Sequence, residues 1–192
     1  MEHEKRAYRF LDNNKYCLDE YCLIPLREED MELIRKWRNE QIRILRQSKP
    51  LTENEQRSYF SQIVLKSFSE DKPECILFSF LSKNNCIGYG GFVNIDWNTE
   101  RAELSFILDT DRAKGTKTYQ KEFSIFLELI LGLNVDEIKF KAIFTETYDI
   151  RPIHIKILEN FGFKCIKLMS NMKKNIDGET IDSLFHEYTY QS

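Results

Sequence analysis

The chain has 192 residues, of which 42% are hydrophobic, and this is enough for one compact domain with a sizeable core. Its 28 basic and 31 acidic residues are spread along the whole length, so a formal net charge of −3 disfavours nucleic-acid binding through a large basic face. No apolar run reaches the roughly 18 residues that span a bilayer, and the N-terminus lacks an apolar signal core. We therefore expect a single cytoplasmic domain over residues 1–192, a monomer or homodimer without a membrane or nucleic-acid partner.

The five cysteines form an odd set without a Cys-x-x-Cys spacing: Cys17, Cys22, Cys75, Cys86 and Cys165. We expect them to be reduced and to pack as small hydrophobic side chains. The three histidines are scattered without the spacing of metal ligands, so the sequence predicts no metal site.

The N-terminal part of the chain predicts one strand followed by two helices. Residues 1–15 are polar, and we expect them to be frayed or to add a short edge strand. Residues 21–26 predict a strand, and a helix with Trp37 on its apolar face follows it. A second helix is predicted to begin at Thr52, because Thr52 and Glu55 have the spacing of a capping box.

The remaining elements alternate between strands and helices. Three antiparallel strands are predicted at 75–81, 86–95 and 103–108, the second with glycines that indicate a bulge or a close backbone approach. They are followed by a helix at 116–131, a strand at 137–144, a helix at 150–161 ended by Gly162, and a hairpin of 164–169 with 180–190 around the turn 175–178. This order predicts a layered α/β or α+β domain in which helices cover a mostly antiparallel sheet.

The turn between the strand 103–108 and the next helix is the most informative stretch. Its residues include Arg112, Lys114 and Gly115, and the helix begins directly after them. A turn that opens a helix directs several backbone N–H groups and the positive end of the helix dipole at one spot, which suits a phosphate or pyrophosphate. A nucleotide-binding P-loop is disfavoured, because Gly115 is followed by threonine where that motif needs lysine.

Three motifs stand in the order that one known family uses: Trp37-Arg38-Asn39 with Tyr59-Phe60, Arg112-x-x-Gly115-x-Lys117, and Glu159-Asn160-Phe161-Gly162-Phe163. The chain thus resembles the GNAT superfamily of acyl-CoA N-acyltransferases from about Cys22 to Tyr190. The branch it resembles contains the ribosomal-protein alanine acetyltransferases and the amino-sugar acetyltransferases. The resemblance implies a mostly antiparallel twisted sheet of about seven strands, with about four helices on both faces.

The resemblance also implies acetyl-CoA as co-substrate, without a metal. Its pyrophosphate would bind the backbone amides of Lys114 to Thr118, helped by Arg112 and Lys117. Its thioester oxygen would bind backbone N–H groups where the strand splays from its neighbour. The loop residues are Arg112, Lys114, Gly115, Thr116, Lys117 and Thr118, and the strand residues are Phe106, Ile107 and Leu108. Arg151 stands in the segment where the family often has an asparagine that meets the cofactor arm.

Acyl transfer to an amine needs a base, because an alkyl ammonium of pKa about 9 to 10 is only about 1% or less deprotonated at neutral pH. The resemblance implies Glu103 as this base, and partial burial would raise its pKa towards a useful range. The alternative is an exposed strand carboxylate paired with Arg101 or Lys139.

The family's usual general acid, a tyrosine, is replaced here by Leu158. Tyr148 and His154 are substitutes by position, and the alternative is that the thiolate leaves without an acid.

The acceptor would lie near Arg38, Asn39 and Ser48, in the region where this branch admits its substrate. We expect a small amino sugar or a similar metabolite. The alternatives are a protein N-terminus, such as that of a ribosomal protein, and a catalytically silent acyl-CoA-binding module.

Overall fold

In the computed structural model the described residues are 7–174 and 177–190, with backbone only over 170–174. These residues form eight strands: β1 (Tyr16–Leu18), β2 (Tyr21–Pro25), β3 (Ile76–Ser82), β4 (Asn85–Asp96), β5 (Arg101–Leu108), β6 (Ala142–Tyr148), β7 (Lys164–Lys174) and β8 (Thr180–Thr189). They make one sheet in the order β1-β2-β3-β4-β5-β6-β8-β7. All neighbours are antiparallel except β5 and β6, so the predicted mostly antiparallel sheet is confirmed, with one strand more than expected.

The helices are α1 (Met31–Glu40), α2 (Glu53–Tyr59), α3 (Leu65–Ser69), α4 (Thr110–Lys114), α5 (Thr116–Leu133) and α6 (Pro152–Asn160). A π-helical turn at Phe60–Val64 joins α2 to α3 in one continuous run. The predicted capping box at Thr52 and Glu55 opens this run, and Gly162 follows the end of α6 in a positive-φ conformation, as predicted.

Helices cover both faces of the sheet. Phe126 of α5 contacts the rings of Phe80 and Phe106 on one face. Because side chains alternate along a strand, Tyr89 of β4 points to the other face, where Arg38 of α1 donates a hydrogen bond of 2.6 Å to its hydroxyl. A cluster of aromatic rings therefore lies between the sheet and α5, and α1 to α3 cover the opposite side.

Two glycines of β4 allow the backbones to approach closely, as the sequence predicted. Gly91 has φ +143°, and a Cβ there would collide with the carbonyl oxygen of Ile76. A Cβ at Gly90 would lie 2.7 Å from the ring of Phe126. Larger residues would thus push β4 away from β3 and from α5.

The strand predicted at 137–144 is wrong in its position. Residues Asn134–Ile138 continue α5 as a π-helical turn, and Lys139 follows in a left-handed conformation. Asn134 causes this ending, because its side chain accepts from the N–H of Phe140 at 2.9 Å and donates to its carbonyl at 3.0 Å. The strand consequently begins only at Ala142.

The N-terminal segment packs against the domain from residue 7 onward, so of the two expectations for residues 1–15 the frayed end is wrong for residues 7–15. Tyr8 is buried, and its hydroxyl donates to the carbonyl oxygen of Leu77 at 2.9 Å and accepts from the N–H of the same residue at 2.6 Å. The edge strand itself lies at Tyr16–Leu18, and the first six residues lie outside the described part of the chain.

The cysteines depart from the expectation of five free thiols. Cys17 and Cys22 face each other across the β1–β2 hairpin and form a disulfide, whereas Cys75, Cys86 and Cys165 are free. The prediction of reduced cysteines is wrong for this pair.

The remaining predictions concern membrane helices, the location of the protein, the number of domains and the turn at 175–178. Across residues 7–174 and 177–190, no helix combines the length and the hydropathy that crossing a membrane requires. The cytoplasmic location and the single domain over 1–192 stay predictions. Residues 175 and 176 of the predicted hairpin turn lie outside the described residues.

Candidate active site

A gap between β5 and β6 positions the candidate site. The two parallel strands pair only from Arg101 to Glu103, opposite Ala142 to Phe144, and then separate. A cleft of about 510 Å³ opens at this gap. Residues from both faces of the sheet line it, including Tyr89 on the α1 side and Phe123 and His154 on the α5 side. The predicted splaying of the strand that carries Phe106, Ile107 and Leu108 is therefore present, and Phe106 lines the cleft.

Two buried carboxylates form the polar centre of the cleft. Glu103 of β5 and Glu146 of β6 lie on the same sheet face, because Glu103 pairs with Phe144, two residues before Glu146. The guanidinium of Arg46 bridges them: it donates to Glu146 at 2.8 Å and to Glu103. Asn94 donates to the other oxygen of Glu103 at 2.7 Å, and Ser183 donates to the other oxygen of Glu146 at 2.5 Å.

The alternative partners considered for Glu103 are bound elsewhere. Arg101 forms an ion pair with Glu187, and the amino group of Lys139 donates to the carbonyl oxygen of Val135. Glu103 is buried rather than exposed, so the interpretation as a solvated strand carboxylate is wrong.

Tyr148 lies next to this centre, at the end of β6 and in the lining of the cleft. Burial, and secondarily the negative charge of Glu146, raise the pKa of its hydroxyl, whereas Arg46 lowers it. The phenol is therefore protonated at neutral pH and has a proton to donate.

His154 also lines the cleft, but its surroundings differ. Burial lowers its pKa well below the usual range, and the neighbouring Arg151 lowers it further. Arg151 donates to the hydroxyl of Tyr119 at 2.8 Å, and this hydroxyl is 2.7 Å from Nδ1 of His154. The lowered pKa makes the imidazole neutral, and either its Nδ1 or the tyrosine hydroxyl donates the hydrogen of this bond, according to the tautomer. Its ring stacks on Phe123 at 4.3 Å, as a core side chain does.

The predicted phosphate turn lies at the start of α5. Gly115 is the N-cap residue, and its carbonyl oxygen accepts from the N–H of Tyr119 at 2.8 Å. The N–H groups of Thr116, Lys117 and Thr118 thus occupy the first turn, for which the helix itself has no acceptors. All three residues are exposed. This helix start can receive an anion at the positive end of an 18-residue helix.

The two loop cations before α5 have partners within the protein. Arg112 binds the buried Glu122 through two nitrogens, one at 2.9 Å, and this contact raises the pKa of the guanidinium. Lys114 is exposed and forms an ion pair of 2.8 Å with Asp111. Arg112 therefore stabilises the α4–α5 junction, and Lys117 is the better placed cation for a phosphate.

The predicted acceptor residues have different positions. Arg38 lines the cleft and binds Tyr89 and Gln47. Asn39 does not line it: its amide holds the segment after α1 by bonds of 2.7 and 2.9 Å to the backbone N–H and carbonyl of Leu51. Ser48 is exposed and outside the lining.

Sequence reasoning missed Arg46 and Glu146. A single arginine in a polar loop has no local signature, and its partners lie 57 and 100 residues away in sequence. Glu146 lies in β6, two positions after the end of the predicted strand, so the misplaced strand hid it. Within residues 7–174 and 177–190, no group of three or more metal-ligating side chains is present.

Comparisons with known proteins agree with this geometry. Residues 23–185 match the family model described as acetyltransferase (GNAT) domain. No curated protein matches the sequence.

Solved structures resemble the fold at low sequence identity. Spermidine N-acetyltransferase from Vibrio cholerae, in complex with CoA and spermine, has a TM-score of 0.74 at 14% identity; the matched region covers 90% of this chain and 96% of the spermidine N-acetyltransferase chain. Ribosomal-protein-S5-alanine acetyltransferase from Vibrio fischeri has a TM-score of 0.69 at 12% identity, covering 92% and 97%. RimJ of Mycobacterium smegmatis, in complex with CoA-disulfide, has a TM-score of 0.68 at 15% identity, covering 88% and 81%. At such identities the likeness shows the fold alone.

Proposed function

Because the chain belongs to the acetyltransferase (GNAT) domain family, we propose that it transfers the acetyl group of acetyl-CoA to a small primary amine by direct attack. The observation that carries this proposal is the cleft between β5 and β6, which has a pair of buried carboxylates and the first separated residues of β5 in its lining. The proposal assigns the amine to the carboxylates, and it assigns the co-substrate to the separated part of β5 and to the start of α5, which follows in the chain.

The residues at the start of α5 fit the diphosphate of the co-substrate. The N–H groups of the first helical turn, which belong to exposed residues, and the helix dipole favour an anion there, and the exposed Lys117 adds a positive charge. The separated part of β5, from Phe106 to Leu108, leaves backbone groups without a partner strand on the β6 side, where an extended ligand arm and an acyl oxygen find hydrogen bonds. The co-substrate supplies a thioester, whose carbon a neutral amine can attack.

Glu103 is proposed as the general base. It is buried, lies at the last paired position before the strands separate, and lines the cleft. A carboxylate at this point can accept the proton that the ammonium must lose before it attacks. Asn94 holds one carboxylate oxygen and Arg46 holds the other, so the amine has to replace one of these donors to meet Glu103.

Tyr148 is the preferred candidate for the general acid. Its raised pKa keeps the phenol protonated, whereas the neutral His154 already has Nδ1 in a hydrogen bond with Tyr119. The alternative without an acid remains available, because a thiolate of pKa about 8.5 is a tolerable leaving group.

The acceptor is proposed to be an amino sugar or an aliphatic amine. A cleft of about 510 Å³ suits a small molecule, and the buried carboxylates Glu103 and Glu146 favour a cationic nitrogen. The likeness to a spermidine acetyltransferase agrees with a cationic acceptor, and that to a ribosomal-protein alanine acetyltransferase keeps a protein N-terminus as the second candidate.

A catalytically silent acyl-CoA-binding module is the competing function. It is favoured by Leu158, which is fully buried and cannot donate a proton, and by the occupation of Glu103 by Arg46.

Release of free thiol from acetyl-CoA across an amine panel tests the proposal. The panel contains amino sugars, nucleotide-linked amino sugars, spermidine, and peptides with free N-termini. Turnover with a small amine is expected. Turnover with the peptides alone would assign the second candidate, and acetyl-CoA binding without turnover on any amine would assign the silent module.

A further inference from the structure

The guanidinium of Arg46 occupies the point that an acceptor amine must reach. It lies between Glu103 and Glu146, in hydrogen-bond contact with both. The arginine side chain is 41% exposed, whereas the side chains of the two glutamates are 5% and 4% exposed. A cation from a surface loop thus caps two anions at the bottom of the cleft.

Glu103 and Glu146 place two negative charges close together on one face of the sheet. The second oxygens of Glu103 and Glu146 are held by Asn94 and Ser183, which are neutral donors. Two buried carboxylates on neighbouring strands repel each other, so a positive charge between them is favourable. Arg46 supplies this charge in the present arrangement, and an ammonium ion would supply the same charge.

The arginine side chain can leave without unfolding its loop. The backbone after it is fastened to α1, because Asn39 binds both the N–H and the carbonyl of Leu51, and Gln47 binds Asn39 at 3.1 Å. The exposed side chain of Arg46 can therefore rotate outward about its own bonds while the segment stays in place.

We infer that Arg46 is a built-in substitute for the acceptor, and that the acceptor's ammonium group displaces its guanidinium from Glu103 and Glu146. This inference rests on the proposed function. A guanidinium suits this role because it stays protonated at every physiological pH. The exchange replaces one cation by another, so the site selects acceptors whose nitrogen is an aliphatic ammonium ion. Weakly basic arylamines, amides and alcohols do not displace the arginine.

Binding of methylguanidine tests the inference without any turnover. This probe carries the same cation as Arg46 and is too small to require other contacts. It should raise the melting temperature of R46A, which lacks the guanidinium between Glu103 and Glu146. The melting temperatures of the wild type and of R43A should stay unchanged. Arg43 is a matched control, because it lies on the same loop and binds Asp177 and Glu179 at the surface. Equal responses of R46A and R43A would overturn the inference.

The variant R46K tests the same site through acetylation of the lysine at position 46. It keeps a positive charge between the carboxylates but presents a primary amine. With acetyl-CoA, the ammonium loses one proton to Glu103, its nitrogen forms a bond to the acetyl carbon, and the carbon–sulfur bond breaks. The second nitrogen proton is released, and the leaving CoA sulfur ends as a thiol. Mass spectrometry should find acetylation at position 46 in R46K and none at position 43 in R43K. Equal labelling at both positions would overturn the inference.

Steady-state kinetics of R46A separate this inference from the proposed function. In R46A the KM for an active aliphatic amine should fall by about tenfold, because the internal competitor is gone. A raised KM with unchanged acetyl-CoA affinity would mean that Arg46 helps to bind the acceptor, and the inference would be wrong while the function stands. If no amine is turned over but methylguanidine stabilises R46A selectively, the function fails and the inference about the cation site stands.

Discussion

The variant E103Q tests the proposed base with little change of shape. Glutamine retains an oxygen for Asn94 but has no negative charge and no basic oxygen. An alkyl ammonium of pKa about 9 to 10 must lose a proton at a cost of roughly 3–4 kcal/mol at neutral pH. A positioned base contributes typically about 100- to 10,000-fold. We expect kcat/KM to fall about 100-fold near pH 7, with acetyl-CoA affinity almost unchanged.

The pH dependence of this loss distinguishes a base from a structural residue. Above the pKa of the amine, the acceptor is already neutral and needs no base, so the rates of E103Q and the wild type should converge as the pH rises towards about 10. Thiol release measured with one amine from about pH 6.5 to 10 provides the profile.

The variant E146Q is the matched control for E103Q. Glu146 is equally buried and binds the same arginine, but it lies past the last paired position of β5 and β6. E146Q should weaken acceptor binding and should not show a rate deficit that disappears at high pH. A deficit of E103Q that is the same at every pH, or unchanged turnover, would refute the role of Glu103.

Three further variants test the surroundings of the cleft. K117A should weaken acetyl-CoA binding by about three- to tenfold in calorimetry, with K121A, one helical turn later, as a control; an unchanged affinity would mean that the helix start suffices. R112A removes the partly exposed partner of the buried Glu122, which should lower the free energy of unfolding by about 2 kcal/mol and the melting temperature by about 4–8 °C. Acetyl-CoA affinity should change little; an unchanged melting temperature with weaker acetyl-CoA binding would assign Arg112 to the phosphates. The pKa of His154 is lower in the folded protein than in the unfolded chain, so as the pH falls the unfolded chain takes up this proton before the folded protein does. The free energy of unfolding should therefore fall by an extra 1.4 kcal/mol or so per pH unit below about pH 6.5. H154N should lack this component in denaturant titrations at several pH values, and identical slopes would contradict the assignment of a neutral buried imidazole.

Local signals predicted most of the fold. The capping box at Thr52, the glycine after α6 and the apolar spacing of α5 are features of a few neighbouring residues, and each was found where the sequence indicated. The error after α5 has a tertiary cause. Alternating side chains at 137–144 favoured a strand, but the side chain of Asn134 binds the backbone of Phe140 and prolongs the helical turn.

The disulfide had a local signal that the cysteine count obscured. Cys17 and Cys22 flank Leu18 and Tyr21, which pair directly around the two-residue turn of Asp19 and Glu20. A two-residue hairpin places the residues outside it directly opposite each other. The odd total of cysteines concealed this pairing.

The site was predictable only in part. The start of α5 follows from residues close to one turn, and Glu103 follows from the family resemblance. The bridge by Arg46 depends instead on a loop that folds back onto two strands. The assignment of Arg112 to a phosphate failed to anticipate Glu122, because that carboxylate lies ten residues later on α5 and is buried. Long-range ion pairs of this kind have no periodicity in the sequence.

A crystal structure with acetyl-CoA tests the central claim most directly. The account predicts the diphosphate on the N–H groups of Thr116 to Thr118 and the thioester in the gap between β5 and β6, beside Glu103. Coenzyme bound at another surface, or no binding at all, would contradict it.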